Sequence, residues 1–151
     1  MAKPTQQDAQ MVLQLAKWYT ESKVGEAMNW ARSDEFVGEH VEFGNRFPSG
    51  SEGRLLVGRI LAYYETVGTL WKNQLINETL LFDWLGVVAV WDLVKGIALG
   101  MRAEAASPTL WENFEAMAER QRSLAAKAEQ NTPTKAKPSK KRPTARKATG
   151  R

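Results

Sequence analysis

Residues 51–71 read SEGRLLVGRILAYYETVGTLW. Leu56, Ile60, Tyr63, Tyr64, Val67, Leu70 and Trp71 recur at steps of three and four, the spacing that puts apolar side chains on one face of an α-helix. Ser51 is placed to cap that helix with its hydroxyl, and Glu52 stands where a helix N-terminus favours negative charge. A helix with so broad an apolar face needs other elements packed on it.

The flanking sequence supplies them. Downstream, the chain turns around residues 72–76, and Asn77 followed by Glu78 restarts a helix carrying Leu81, Trp84, Leu85, Val88, Trp91 and Val94, read as continuous to residue 104. Gly86, Gly96 and Gly100 lie inside it. Each costs about 1 kcal/mol against alanine, so a bend or a close helix contact is expected there. Ser107 and Pro108 form a cap and a first helical position, and Leu110, Trp111, Phe114, Met117, Ala118 and Leu124 line a last helix to Gln130. Upstream, Thr5 to Asp8 reads as a capping box ahead of the stripe Val12, Leu15, Ala16 and Tyr19. Ser22 can cap a short second helix through Ala27, Met28 and Trp30, whereas Gly38, Gly44, Pro48, Gly50 and Gly53 mark residues 33–53 as a long loop.

No alternating apolar run bounded by turns suggests a strand. The fold class predicted is all-α, a compact bundle of four to six helices. Its centre is an antiparallel pair, residues 52–71 and 78–104, covered by residues 108–130. Residues 1–130 form the helical domain and residues 131–151 a separate tail.

Composition agrees. Of 151 residues, 43% are hydrophobic and 25% charged, ordinary for one globular domain. The absence of cysteine excludes disulfides, thiolate metal sites and cysteine nucleophiles, and His40 is the one histidine. No stretch approaches the eighteen or so uncharged apolar residues of a membrane span; the most apolar, residues 80–101, is interrupted by Asp83, Asp92 and Lys95. No secretory signal is read at the N-terminus, which makes a cytoplasmic location the default expectation.

The net charge of +4 conceals two populations. Lys135, Lys137, Lys140, Lys141, Arg142, Arg146, Lys147 and Arg151 are the eight basic residues of the tail, which has no acidic one. The rest of the chain keeps 13 basic against 17 acidic residues, a net of −4. The tail has no aromatic side chain and no Leu, Ile, Val or Met, so it cannot bury enough apolar surface to offset the entropy of ordering, and disorder is expected. Pro133, Pro138 and Pro143, five apart, each open a basic block that proline keeps extended. An extended polycation suits a phosphate backbone, with no aromatic side chains to select bases. An anionic membrane, the protein's own acidic body, or no partner at all are the competing readings.

Chemistry elsewhere in the sequence is thin. Glu35, Glu39 and Glu42 with His40 are metal-ligating types, but one histidine cannot build the helical di-iron pattern, and a solvated acidic face is the preferred reading. No metal and no cofactor is expected. Glu65, inside the apolar stripe, calls for a partner, and Arg59 or Arg102 could supply it; an ion pair fixing helix register is preferred to a catalytic acid. The glycine- and serine-rich residues 44–54 lead into a helix as an anion site would, but lack the phosphate-loop spacing. Trp71, Trp84, Trp91 and Trp111 fall on apolar stripes and are expected in the core, while Trp18 and Trp30 are expected nearer the surface, where they could anchor a partner.

The run from Arg59 to Glu119 has an outline of its own: the aromatic–Glu step Tyr63-Tyr64-Glu65, the Leu75-Ile76 and Leu80-Leu81 pairs, Trp91, Arg102, and Trp111-Glu112-Asn113-Phe114-Glu115. It resembles a family of small, mostly bacterial helical proteins catalogued as a domain of unknown function. That resemblance implies an α-helical fold and brings no catalytic residues with it. The functional expectation is a non-enzymatic helical interaction protein of the bacterial cytoplasm whose tail contacts DNA, RNA or another polyanion non-specifically. The alternative is a scaffold or self-associating module in which the tail serves solubility. An enzyme built around Glu65 has no motif behind it.

Overall fold

Thr5 opens the first helix. Its hydroxyl oxygen accepts from the Asp8 N–H at 3.2 Å while the Asp8 carboxylate accepts from the Thr5 N–H at 2.8 Å, a closed capping box that starts α1 (Gln6–Glu21). In the computed structural model, which describes residues 3–130, six further helices follow: α2 (Val24–Ala31), α3 (His40–Arg46), α4 (Glu52–Lys72), α5 (Glu78–Trp84), α6 (Val88–Glu104) and α7 (Glu112–Gln130). Among the described residues there is no strand. The all-helical class is as the sequence implies, with seven helices where four to six were expected.

The two additional elements have specific causes. The first is α3, inside the stretch read as loop. Glu39 caps it, its carboxylate accepting from the N–H groups of Val41 and Glu42 at 3.0 and 2.7 Å, and Phe43 anchors it in the core. Seven residues cannot hold a helix alone, and α3 rests on α6. It sits there because α6 has glycine at the contact: a Cβ on Gly96 would strike the Gly38 carbonyl, and one on Gly100 would overlap the His40 ring. The close contact expected of these two glycines is therefore with the chain just before and within α3.

The second cause is a break. Residues 78–104, read as one helix, form two helices that meet at 87° across Leu85, Gly86 and Val87. Gln121 of α7 fills the gap in hydrogen bonding. Its amide oxygen accepts from the N–H groups of Val87 at 2.8 Å and Val88 at 3.1 Å, and its amide nitrogen donates to the Leu85 carbonyl at 2.9 Å. No residue at the start of α6 caps it locally, so a side chain 34 positions away does so.

The packing centre also differs from the predicted pair of 52–71 with 78–104. The long helix α4 packs chiefly against α7 and α2 and only lightly against α6; α6 joins the body through α7 and α3, and α1 leans on α2 and α5. The face of α4 that turns inward is the one its sequence marks: Leu56, Ile60, Tyr63, Tyr64 and Val67 are all buried. An aromatic seam crosses the core from it. Tyr64 stacks on Phe114 with centroids 4.7 Å apart, and Phe114 meets the edge of Trp91 at 5.0 Å. Tyr63 packs against Trp18 at 4.8 Å and donates its hydroxyl to the Leu15 carbonyl at 2.9 Å, tying α4 to α1.

Smaller expectations shift as well. Ser22 ends α1 instead of capping α2; the turn into α2 is made by Lys23 at φ 56°. α7 starts at Glu112, after a turn through Trp111 at φ 62°, four residues later than the Ser107-Pro108 signal suggests. Of the tryptophans expected in the core, Trp91 is buried, Trp71 and Trp111 are partly buried, and Trp84 is 36% exposed. Trp18 and Trp30 are packed against the core. Among the described residues no single helix is long and apolar enough to cross a membrane.

Candidate functional site

The eight tail cations, Lys135 to Arg151, lie outside the described residues. What the structure gives is the charge environment they are attached to. Most of the body's own cations are engaged within the fold. Arg120 grips the Glu78 carboxylate at 2.7 Å, Arg102 reaches Glu115 at 2.7 Å, and Lys95 and Arg122 share Asp92 at 2.9 and 2.8 Å. Lys72 holds Glu112 at 3.0 Å, and Arg54 donates to the Phe47 carbonyl at 2.7 Å. The hydrogen bonds that Arg120 donates, then that of Trp71 and the charge on Arg120, hold Glu78 below the ordinary carboxylate range, and Lys95 with Arg122 does the same to Asp92.

Arg59, Glu65 and Arg102 do not meet. Glu65 turns to the start of α7: its carboxylate accepts from the Phe114 N–H at 2.9 Å and from the Asn113 side-chain amide at 2.8 Å. A side chain of α4 thus caps the start of α7. Arg102 lies at the same corner, donating from Nε to the Leu110 carbonyl at 2.9 Å and from Nη1 to Glu115. The left-handed backbone of Trp111, unusual for a bulky residue, is held between these contacts. Arg59 forms no ion pair among the described residues; it lines an open cleft of about 420 Å³ with Trp30, Phe47 and the carboxylates of Glu26, Glu35 and Glu52.

Glu35, Glu39 and Glu42 do not converge with His40. Glu39 is spent on the α3 cap, and His40 points to Glu104, 3.0 Å from Nε2. Among the described residues no three His, Cys, Asp or Glu side chains are placed to hold a metal ion. The 44–54 segment is the end of α3, a short connection and the Ser51 cap of α4, closed by Phe47 lying flat on Gly53.

Three polar side chains whose long-range contacts the sequence does not reveal prove to organise the body: Gln121 at the break, Glu78 between Trp71 and Arg120, and Asp8. Asp8 belongs to the α1 capping box and also accepts from the Asn77 N–H at 2.7 Å, joining the starts of α1 and α5. The capping-box spacing marks Asp8 in the sequence and Glu78 is marked only as a helix start; nothing local marks Gln121.

Residues 4–121 match the family described as a domain of unknown function, DUF4760. The chain belongs to the DUF4760 family. The match takes in α1 to α6 and the first half of α7, far more than the residues 59–119 that carry the resemblance in sequence. Its last residue is Gln121, the one that completes the α5–α6 break, so the DUF4760 match includes that bridge. Nothing among curated proteins or solved structures matches the chain.

Proposed function

We propose that this DUF4760 protein is a helical interaction module that contacts a polyanion, nucleic acid in the first place, through residues 131–151. The observation that carries this reading is the separation of charge. The body has a net charge of −4 and most of its cations are bound to its own carboxylates and carbonyls, so the free positive charge is concentrated in a segment of eight cations without an acid. Contact of that kind is electrostatic and indifferent to sequence.

The test is binding of duplex DNA and of RNA over a salt series by the full-length chain and by a full-length variant with all eight tail cations changed to Gln. A slope of log K against log salt approaching about −7 for DNA is the upper bound, and the variant should lose most of the affinity. Equal affinity of the two proteins would remove the tail from the mechanism.

A second reading is supported by the family match, which covers the body and stops before the tail. On that reading the helical body carries a scaffolding or self-associating role, and the tail serves solubility. Light scattering across a concentration range separates the two, because a monomer at every concentration, with no partner retained on purification, speaks against the second.

A further inference from the structure

Trp30, near the end of α2, meets the Phe36 and Phe47 rings edge to face, with centroids 5.4 and 5.3 Å away. Phe47 lies against Gly53, where any Cβ would strike its ring, so the start of α4 holds this aromatic group in place. Trp30, Phe47 and Leu56 give the cleft of about 420 Å³ an apolar wall, and that volume is in the range of small-ligand clefts. The fold already sets a cation on these rings, since the Arg46 guanidinium stands 5.8 Å from the Phe47 centroid.

The charged part of the lining is acidic and is not neutralised. Elsewhere in the body Asp8, Glu39 and Glu65 cap helices, and Glu78, Asp92 and Glu115 hold arginines. Glu26, Glu35 and Glu52 come to the cleft from α2, from the connection after it and from the first turn of α4. Glu35 and Glu52 form no ion pair among the described residues, and Glu26 reaches only Lys23, at 4.0 Å with both side chains exposed. Arg59 lines the same cleft without pairing with any of the three. Three carboxylates against one guanidinium leave the lining at −2.

The placement of the acids decides the shape of the cation. Although they line one cleft, no three acidic side chains among the described residues are placed to hold a metal ion, so one compact ion does not satisfy them. An extended cation does. Ammonium groups at its two ends lie at separate carboxylates, and the methylene chain between them covers the apolar wall.

We propose that the Trp30–Phe47 cleft binds a linear aliphatic diamine, whose two charges match the net charge of the lining. Its methylene chain packs on Trp30, Phe47 and Leu56, and Glu35 and Glu52 receive the ammonium groups. This inference is independent of the polyanion reading, because it uses no residue of the 131–151 segment and concerns a ligand of the opposite charge.

The test uses the full-length chain at constant ionic strength. The indole N–H signal of Trp30, assigned with Trp30→Phe, is followed during titration with 1,4-diaminobutane, 1-aminobutane and Mg²⁺. The expected result is a saturable shift with the diamine, larger at Trp30 than at Trp84 or Trp91. Affinity for the diamine should exceed that for the monoamine about fivefold, the upper effect of one exposed ion pair. Glu35→Gln and Glu52→Gln combined should lower it by at least that factor, whereas Arg59→Gln, which removes the cation from the cleft lining, should raise it. Both acids are exposed, and unchanged signals of the other indoles show that the variants keep the fold. A shift that does not saturate, equal affinity for the two amines, or affinity unchanged by the two Gln substitutions overturns the proposal. Displacement of the diamine by Mg²⁺ at equal charge reassigns the effect to counterions and overturns it as well.

Discussion

Glu65 is a carboxylate inside an apolar stripe, a position that calls for a compensating group. The sequence points to arginine, and the fold answers with the backbone N–H of Phe114 and the amide of Asn113. A main-chain donor leaves no residue-type mark, which is why the residue was legible and its partner was not. Glu65→Ala should cost about 1–2 kcal/mol in urea unfolding, the range of a lost cap, with Glu65→Gln recovering part of it. Glu78 titrates against the fold. Arg120, and then Trp71, hold its carboxylate below the ordinary range, so the unfolded chain takes up the proton first as pH falls. Its contribution to stability is therefore present above the ordinary carboxylate pKa and is lost as pH falls through the depressed folded value. Glu78→Gln should flatten the fall of denaturant midpoint between about pH 5 and 3 and be least stable relative to the native protein near neutrality.

At the scale of the element, what could be read was what is local. α4, 21 residues long, carries its own cap and one apolar face, and its start and its buried face follow from them. α3 and the α5–α6 break depend on residues elsewhere: α3 on two glycines of α6, the break on an amide of α7. Gly96 and Gly100 were visible as anomalies, but which chain they admit is set by packing. Gln121→Ala leaves two N–H groups and one carbonyl without partners. It should destabilise the body by about 2–4 kcal/mol, and hydrogen exchange at Val87 and Val88 should accelerate more than at Ile60 in α4. Gly100→Ala should dislodge α3 specifically, exposing Phe43 with little change in the α4–α7 contact.

For the whole molecule, net charge is a poor descriptor. A single figure of +4 describes neither a body at −4 nor a segment of eight cations. Native electrophoresis near pH 7 should therefore send the full-length chain and residues 1–130 in opposite directions. The family match runs to Gln121, within the last described helix, and the cations counted apart from the body begin at Lys135, outside the described residues.

α7 gives Glu65 the N–H groups it caps, gives Tyr64 its stacking ring, gives Glu78 its arginine and bridges the corner between α5 and α6. All four contacts join it to residues at least 33 positions earlier. A nascent chain that has emerged only through α6 has a carboxylate with nothing to cap, an uncovered aromatic face and an unbridged corner. The Glu65 cap, the Tyr64 stack and the bridge across the α5–α6 corner are therefore completed only once the last helix is in place.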